Sequence, residues 1–222
     1  SYYAATLNEL YENALQIHGI SKNVLAFRSL HKSNIEFAYD AFQEIKKRGE
    51  CSAVALDLSK FFDTLDHSFL KDAWCRLLST DKLPEDHYAV FKAITKYSKV
   101  DKEKVYDLMD IPKNNAKYTK KTRKQICSFA DFRDKVRKNA LIISNKANFG
   151  IPQGSPISAL LSNIYMLNFD IEMKDYVATL GGEYFRYCDD MLFIVPLSAK
   201  NNVAGEAEKR LNKLKVSLNT KK

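Results

Sequence analysis

The stretch YFRYCDDMLFIV, residues 184–195, sets two adjacent aspartates in the middle of an apolar run. Tyr184, Phe185, Tyr187, Met191, Leu192, Phe193, Ile194 and Val195 carry the aromatic and β-branched bias of buried strands. The pattern predicts a hairpin with Asp189 and Asp190 at its turn and both arms buried. Burying a bare carboxylate is strongly unfavourable unless positive charge compensates it. Fold and chemistry therefore turn on the same question: what stands beside this pair?

The nearest answer upstream is CSAVALDLS, residues 51–59, which reads as a second buried strand with Asp57 late in it. If the two strands pair, Asp57 arrives beside Asp189 at one sheet edge. Two or three carboxylates converging there cannot all ionise without a counter-charge. Divalent cations supply it, because hard oxygen ligands suit Mg²⁺ and three acids can hold two ions. Two such ions, about 3.5–4 Å apart, clamp the attacking and leaving oxygens of a phosphoryl displacement. An Asp pair in a hairpin turn is also ordinary turn chemistry, since Asp bonds its own backbone. The pair alone does not decide between the two.

The rest of the chain supplies helices around this sheet. Leu7, Leu10, Tyr11, Ala14 and Leu15 recur at helical spacing over residues 4–17, ended by Gly19. Ser33 and Glu36 form a capping box for a helix closed by Gly49. Helices follow at about 66–79 and 84–98, the second entered through Pro84. GIPQGSP (150–156) is a loop whose Ser155–Pro156 pair opens a long helix to about Tyr176. Gly181 and Gly182 turn the chain into the hairpin, and a helix over about 200–214 precedes a strand-like tail. The expected class is α+β, a small antiparallel sheet with helices packed on it.

Residues 99–148 differ: lysine-dense and irregular, with short helical patches. The chain has 222 residues, 45% of them hydrophobic, enough for one sizeable unit or two packed lobes. Lys and Arg number 35 against 27 Asp and Glu, a net +8 that suits a phosphate-rich partner. Four scattered cysteines with no CxxC argue against a disulfide framework or structural zinc and for a reduced, cytoplasmic setting. No apolar run reaches the length of a membrane span. The four histidines, 18, 31, 67 and 87, have no ligand spacing. Both chain ends read as cut, so a fragment of a longer protein is expected.

Four stretches in order resemble the fingers and palm of reverse transcriptases, RNA-directed DNA polymerases, in particular the bacterial group II intron, retron and phage-defence kinds. ALDLSKFFDTLDH (55–67) resembles the first acidic motif, GIPQGSPISALLSNIYM (150–166) the PQG loop and its helix, YCDD (187–190) the Tyr-x-Asp-Asp signature, and LNTKK (218–222) the start of the lysine motif. LAFRSLHKSNIEFAYDAF (25–42) resembles the stretch leading into the palm. The likeness implies fingers in 1–50, palm in 51–98 and 149–222, an insertion or fingers-side segment in 99–148, and no thumb in this chain. A piece without a thumb should grip primer–template poorly.

The resemblance also implies roles. Asp57, Asp189 and Asp190 would hold two Mg²⁺ ions, Mn²⁺ being a substitute, with the Leu58 carbonyl as an extra ligand. Phe62 would be the steric gate that leaves no space for a 2′-hydroxyl; its plainer reading is core packing beside Phe61. Gln153 and Gly154 would touch the incoming nucleotide, and Ser155 and Lys32 the nucleic acid. Arg28 would meet the triphosphate or template phosphates, or else form with Lys32 a solvated basic patch, and Lys222, or Lys221 one register off, would protonate pyrophosphate. Tyr187 either packs near the primer terminus or is a strand aromatic. Cys188 is a small buried side chain by default.

The implied partners are an RNA template, a DNA primer with its cDNA, and dNTPs. The implied setting is antiphage defence, or else a retron- or intron-derived mobile element. KNNAKYTKKTRKQ (113–125) is either a contact for a structured non-coding RNA or a solvated loop. Two rivals remain: an RNA-directed RNA polymerase, which usually carries an aspartate where Phe62 stands, and a catalytically weak RNA-binding scaffold.

Overall fold

The apolar run around the aspartates does fold as a hairpin. The computed structural model describes residues 2–112 and 125–219. Their strands are β1 (Ser52–Asp57), β2 (Ser98–Lys99), β3 (Ile143–Ser144), β4 (Glu183–Tyr187) and β5 (Asp190–Val195). β1, β5 and β4 form one antiparallel sheet in that order, so the second arm of the hairpin is its central strand. Gly182 admits the chain at the start of β4: a Cβ there would lie 2.7 Å from the Ile194 carbonyl oxygen.

The helices are α1 (Tyr2–Ile17), α2 (Asn34–Arg48), α3 (Phe61–Thr64), α4 (His67–Leu77), α5 (Glu85–Thr95), α6 (Lys102–Leu108), α7 (Phe129–Asp131), α8 (Pro156–Thr179) and α9 (Lys200–Lys213). Their boundaries follow local chemistry. Ser33 and Glu36 make the reciprocal cap of α2, and Gly49 ends it at φ 72°. Asp66 caps α4 by accepting from the Ser68 and Phe69 amides, and Ser155 caps α8 ahead of Pro156. α8 is buried nearly all round: Leu160, Leu161, Ile164, Met166, Phe169, Met173 and Val177 all face the interior. Such a helix belongs at the centre of a core rather than on a surface. No helix of the described residues is long and apolar enough to cross a membrane.

Two compact units result, Ser1–Thr95 with Asn148–Lys222, and Lys96–Ala147. The first holds the three-stranded sheet and its helices. Strand parity divides that sheet into two faces. Val54, Phe193 and Tyr184 lie in one cross-strand row and Leu56, Met191 and Arg186 in the next, on the face that joins the core. Ala55, Leu192 and Phe185 share the opposite face with Asp57, Asp190 and Tyr187. The second unit pairs β2 with β3 and buries Val105, Ile111 and Val136 as its only apolar core among the described residues.

Three expectations change. Residues 51–59 are not a buried strand throughout: β1 stops at Asp57, and Ala53 and Ala55 are exposed because their face of the sheet is open. The helix expected over 84–98 ends at Thr95, and Ser98 and Lys99 enter β2 instead. In the hairpin, the loop consists of Cys188 and Asp189, while Asp190 already belongs to β5.

Candidate active site

Asp57 stands directly opposite Asp190 on neighbouring antiparallel strands, on the open face. Like charges so placed destabilise a sheet unless something between them compensates. Asp189 is joined to the same place through the backbone, its carbonyl accepting the Leu58 N–H at 3.0 Å. The tail after α9 closes the other side of β1. Ser59 N–H donates to Ser217 at 2.8 Å, and the Asn219 N–H donates to the Asp57 carbonyl at 2.8 Å. The Asn219 side-chain amide also donates to Asp57 Oδ2 at 2.8 Å, which fixes one oxygen of that carboxylate. The Leu58 carbonyl takes no part in these bonds.

Asp57, Asp190 and Asn219 line a cleft of about 860 Å³ between the sheet and α2, which Asp189 does not line. Asp57, Asp190 and Asn219 stand at one end, Tyr187, Phe185 and Leu192 form the floor, and Asn34, Phe37 and Ala41 the α2 side. Tyr187 is thus brought to the aspartates, with its hydroxyl donating to Asn34 Oδ1 at 2.6 Å.

The turn itself is held from beneath. Cys188 sits at φ 58°, the left-handed region, with Asp189 outside it, the φ pattern of a type II′ hairpin. A Cβ-bearing residue there is uncommon outside constrained sites. Arg186 supplies the constraint: its guanidinium donates to the Cys188 carbonyl at 2.9 Å and to Asn163 Oδ1 at 3.1 Å. It also forks onto Asp170 at 2.7 and 2.6 Å, with both side chains fully buried. Burial would drive the guanidinium toward neutrality, but Asp170 more than offsets this and holds its pKa above the ordinary value. Tyr184 donates to the same carboxylate at 2.7 Å. Burial, then the Asp189 carboxylate, pushes the Cys188 thiol up to about 12, so it is a neutral neighbour and not a nucleophile.

A second group of expected residues gathers around α3. The Phe62 carbonyl accepts the Ile151 N–H at 2.9 Å, which ties the loop carrying Gln153 and Gly154 to the candidate gate. Gly150 passes so close that a Cβ would lie 3.0 Å from the Asp63 carbonyl oxygen. Its carbonyl meets His67 Nε2 at 2.8 Å, which explains that buried histidine structurally. Gln153 and Gly154 are exposed, and Gly154 uses φ 99°. Ser155 spends its hydroxyl on the Ser158 amide and hydroxyl, as a helix cap.

Other residues lie elsewhere. Arg28 is not placed to meet a triphosphate: its side chain is 1% exposed and forked onto Glu12 at 2.8 and 2.6 Å. It also holds the Ser21 and Val24 carbonyls at 2.6 Å each. Every direction of the guanidinium is used inside the protein, which makes it a structural tie. Lys32 is exposed and paired with Asp40 at 2.6 Å. Lys222, Lys221 and nearly all of 113–125 lie outside the described residues. Sequence reasoning missed Arg186, Asp170 and Asn219. Arg186 was readable, because strand parity puts it on the face of Tyr184, inside.

A metal fits the donor set in one way. Among the described residues no three His, Cys, Asp or Glu side chains converge as a ready-made ligand group. Mg²⁺ does not require one, since it commonly takes one or two carboxylates and completes its shell with substrate phosphates and water. Asp57 and Asp190, with Asp189 on the turn, offer that kind of partial shell.

The family model described as reverse transcriptase (RNA-dependent DNA polymerase) matches residues 77–222, more than half of the chain and including the hairpin. The chain belongs to the reverse transcriptase family. Asp57 and Phe62 lie before the matched range, so their place in the site rests on the sheet register and on the Phe62–Ile151 bond. Among solved structures, the apo telomerase from Candida tropicalis truncated from its C-terminal domain superposes with a TM-score of 0.62 at 13% identity. That match covers 100% of this chain and 39% of the telomerase. Candida albicans telomerase, in complex with a TWJ fragment of telomeric RNA, gives 0.59 at 13% identity, covering 99% and 34%. At such identity the likeness is one of fold: a reverse transcriptase fingers-and-palm arrangement, in keeping with the α+β class. The chain spans well under half the length of these neighbours. No curated protein matches it in sequence.

Proposed function

We propose that the cleft is the polymerase centre of an RNA-directed DNA polymerase, acting by two-metal phosphoryl transfer to a primer 3′-hydroxyl. The observation that carries this is the register that sets Asp57 opposite Asp190. Magnesium ions, or manganese in their place, would activate the hydroxyl and offset charge on the departing pyrophosphate. Asp57 and Asp190 hold that charge at the sheet rim, Asp189 joins from the turn, and the Leu58 carbonyl would be an extra ligand. Asn219 donates to Asp57 Oδ2, which holds that carboxylate in place at the sheet rim. Phe62 excludes a ribose hydroxyl, and the exposed Gln153–Gly154 backbone approaches the nucleotide. The basic residues of the second unit contact template RNA or a structured non-coding RNA.

A scaffold that binds RNA without chemistry is the second reading, favoured by the lack of a ready three-acid group among the described residues. Primer extension on an RNA template by the full-length protein separates them, with dNTPs and NTPs compared and Asp189→Asn as control. Extension with dNTPs that vanishes in the variant supports the polymerase. RNA retention without extension in either protein supports the scaffold, and a preference for NTPs would move the assignment to RNA synthesis. A place in antiphage defence or in a mobile element belongs to the same proposal, carried by the sequence resemblance. Sequencing the nucleic acid that copurifies with the full-length protein tests it.

A further inference from the structure

Residues 20–28 form a bracket anchored at both ends. Asn23 donates its side-chain amide to the Tyr184 carbonyl at 2.6 Å, and its own carbonyl accepts the Arg186 N–H at 2.7 Å. The Leu25 N–H donates to the Arg186 carbonyl at 2.9 Å, and Asn163 holds the Ala26 carbonyl at 2.9 Å. Arg28 then closes the loop back onto Ser21, Val24 and Glu12. Between these anchors Phe27 adopts φ 62° and leaves 45% of its surface exposed. A bulky side chain in the left-handed region is an outlier, and such strain persists only where the surroundings over-determine it. An exposed ring gains little burial in return. The bracket therefore presents this side chain at a cost to the fold.

What Phe27 meets is Phe62. The two rings lie edge to face, centroids 6.3 Å apart at 73°. Phe62 is only 8% exposed, backed by Phe61 at 5.6 Å and held at its carbonyl by Ile151. The open aromatic surface at this place thus belongs largely to Phe27.

We propose that Phe27 is a specificity-determining residue of the nucleotide site, forming with Phe62 a two-ring wall against the sugar of the incoming nucleoside triphosphate. The proposal rests on the reading of Phe62 as the sugar gate and deepens it. Rejection of a hydroxyl by exclusion works only if the wall does not yield, because an apolar pocket otherwise rejects an added hydroxyl weakly. Phe27, packed against Phe62 at a steep angle and fixed by the bracket, limits how far the Phe62 ring can tilt away.

The test is single-nucleotide incorporation on an RNA template by the full-length protein, comparing kcat/KM for a dNTP and the matching NTP. Phe27→Gly removes the ring while glycine accepts the left-handed backbone, so its melting temperature should hold. The expected result is a fall of about tenfold in the dNTP preference, the scale of a lost apolar contact at a pocket wall. Phe27→Leu should give a smaller fall and decides the matter by the same ratio if the glycine variant melts early. An unchanged ratio in both variants, beside a relaxed ratio in Phe62→Ala, would overturn the role of Phe27 while keeping the gate. An unchanged ratio in Phe62→Ala would remove the gate itself, and this inference with it.

Discussion

The unit built from Ser1–Thr95 and Asn148–Lys222 and the unit Lys96–Ala147 solve different physical problems. The first wraps a sheet and several helices around α8, a helix buried on nearly every side. The second encloses only Val105, Ile111 and Val136 among its described residues, and leaves Phe129 92% exposed. Charge divides the other way. Residues 96–147 carry 15 Lys and Arg against 6 Asp and Glu, a net +9. The rest of the chain, with the whole at +8, is left at −1. The carboxylates that the proposed chemistry would need held to a fraction of an ångström sit where packing is dense. An excess of positive charge, which suits a polyanion, needs only numbers and proximity, and is found where packing is thin.

The contrast can be broken most sharply in the packed unit. Asp57→Asn, which keeps shape and removes charge, should lower dNTP incorporation by about 10³-fold or more, with RNA affinity nearly unchanged. Parallel filter binding and primer extension check this; loss of both would mean that the site and the RNA grip are not separable. Next in size is Asp170→Asn, which leaves Arg186 buried without its partner. It should cost about 3–5 kcal/mol of stability, measured by urea unfolding. A small change would mean that the guanidinium finds other acceptors.

In the second unit the expected effects are smaller and of another kind. Replacing Arg133, Lys135, Arg137 and Lys138 together by Gln should weaken RNA binding about tenfold and flatten its salt dependence. kcat should hold at saturating RNA. Asp131 and Asp134 already pair with three of these residues, which limits the effect. The smallest concerns Cys188. The unfolded thiol ionises near its ordinary 9.0, whereas the folded one stays protonated up to about 12. The folded state therefore keeps this contribution below about pH 9 and loses it as pH climbs toward 12. Cys188→Ala should flatten the decline in unfolding free energy across that window.

Much of the packed unit was legible because its signals are local. The Ser33–Glu36 box, the Ser155–Pro156 start of α8 and the glycine stops each involve a few neighbouring residues. The hairpin was legible from its apolar arms, and its pairing with β1 from the acids that had to meet. What escaped was set by tertiary context. Nothing local distinguishes an arginine that meets phosphate from one that closes a loop, and Arg28 proved to be the second kind. Asn219 acquires its importance only because the chain after α9 returns to Asp57. The open face of β1 could not be foreseen from Ala53 and Ala55, since alanine suits either side. The second unit was hardest to read, because a core of three residues among those described leaves little periodicity.

One bond has a mechanical corollary. The Ile151 N–H on the Phe62 carbonyl and the tight passage of Gly150 over Asp63 fasten the PQG loop to the turn bearing the proposed gate. The loop and α3 are therefore coupled through their backbones rather than through side chains. If the loop meets the triphosphate and Phe62 the sugar, as proposed, a shift of one would be passed to the other through this bond.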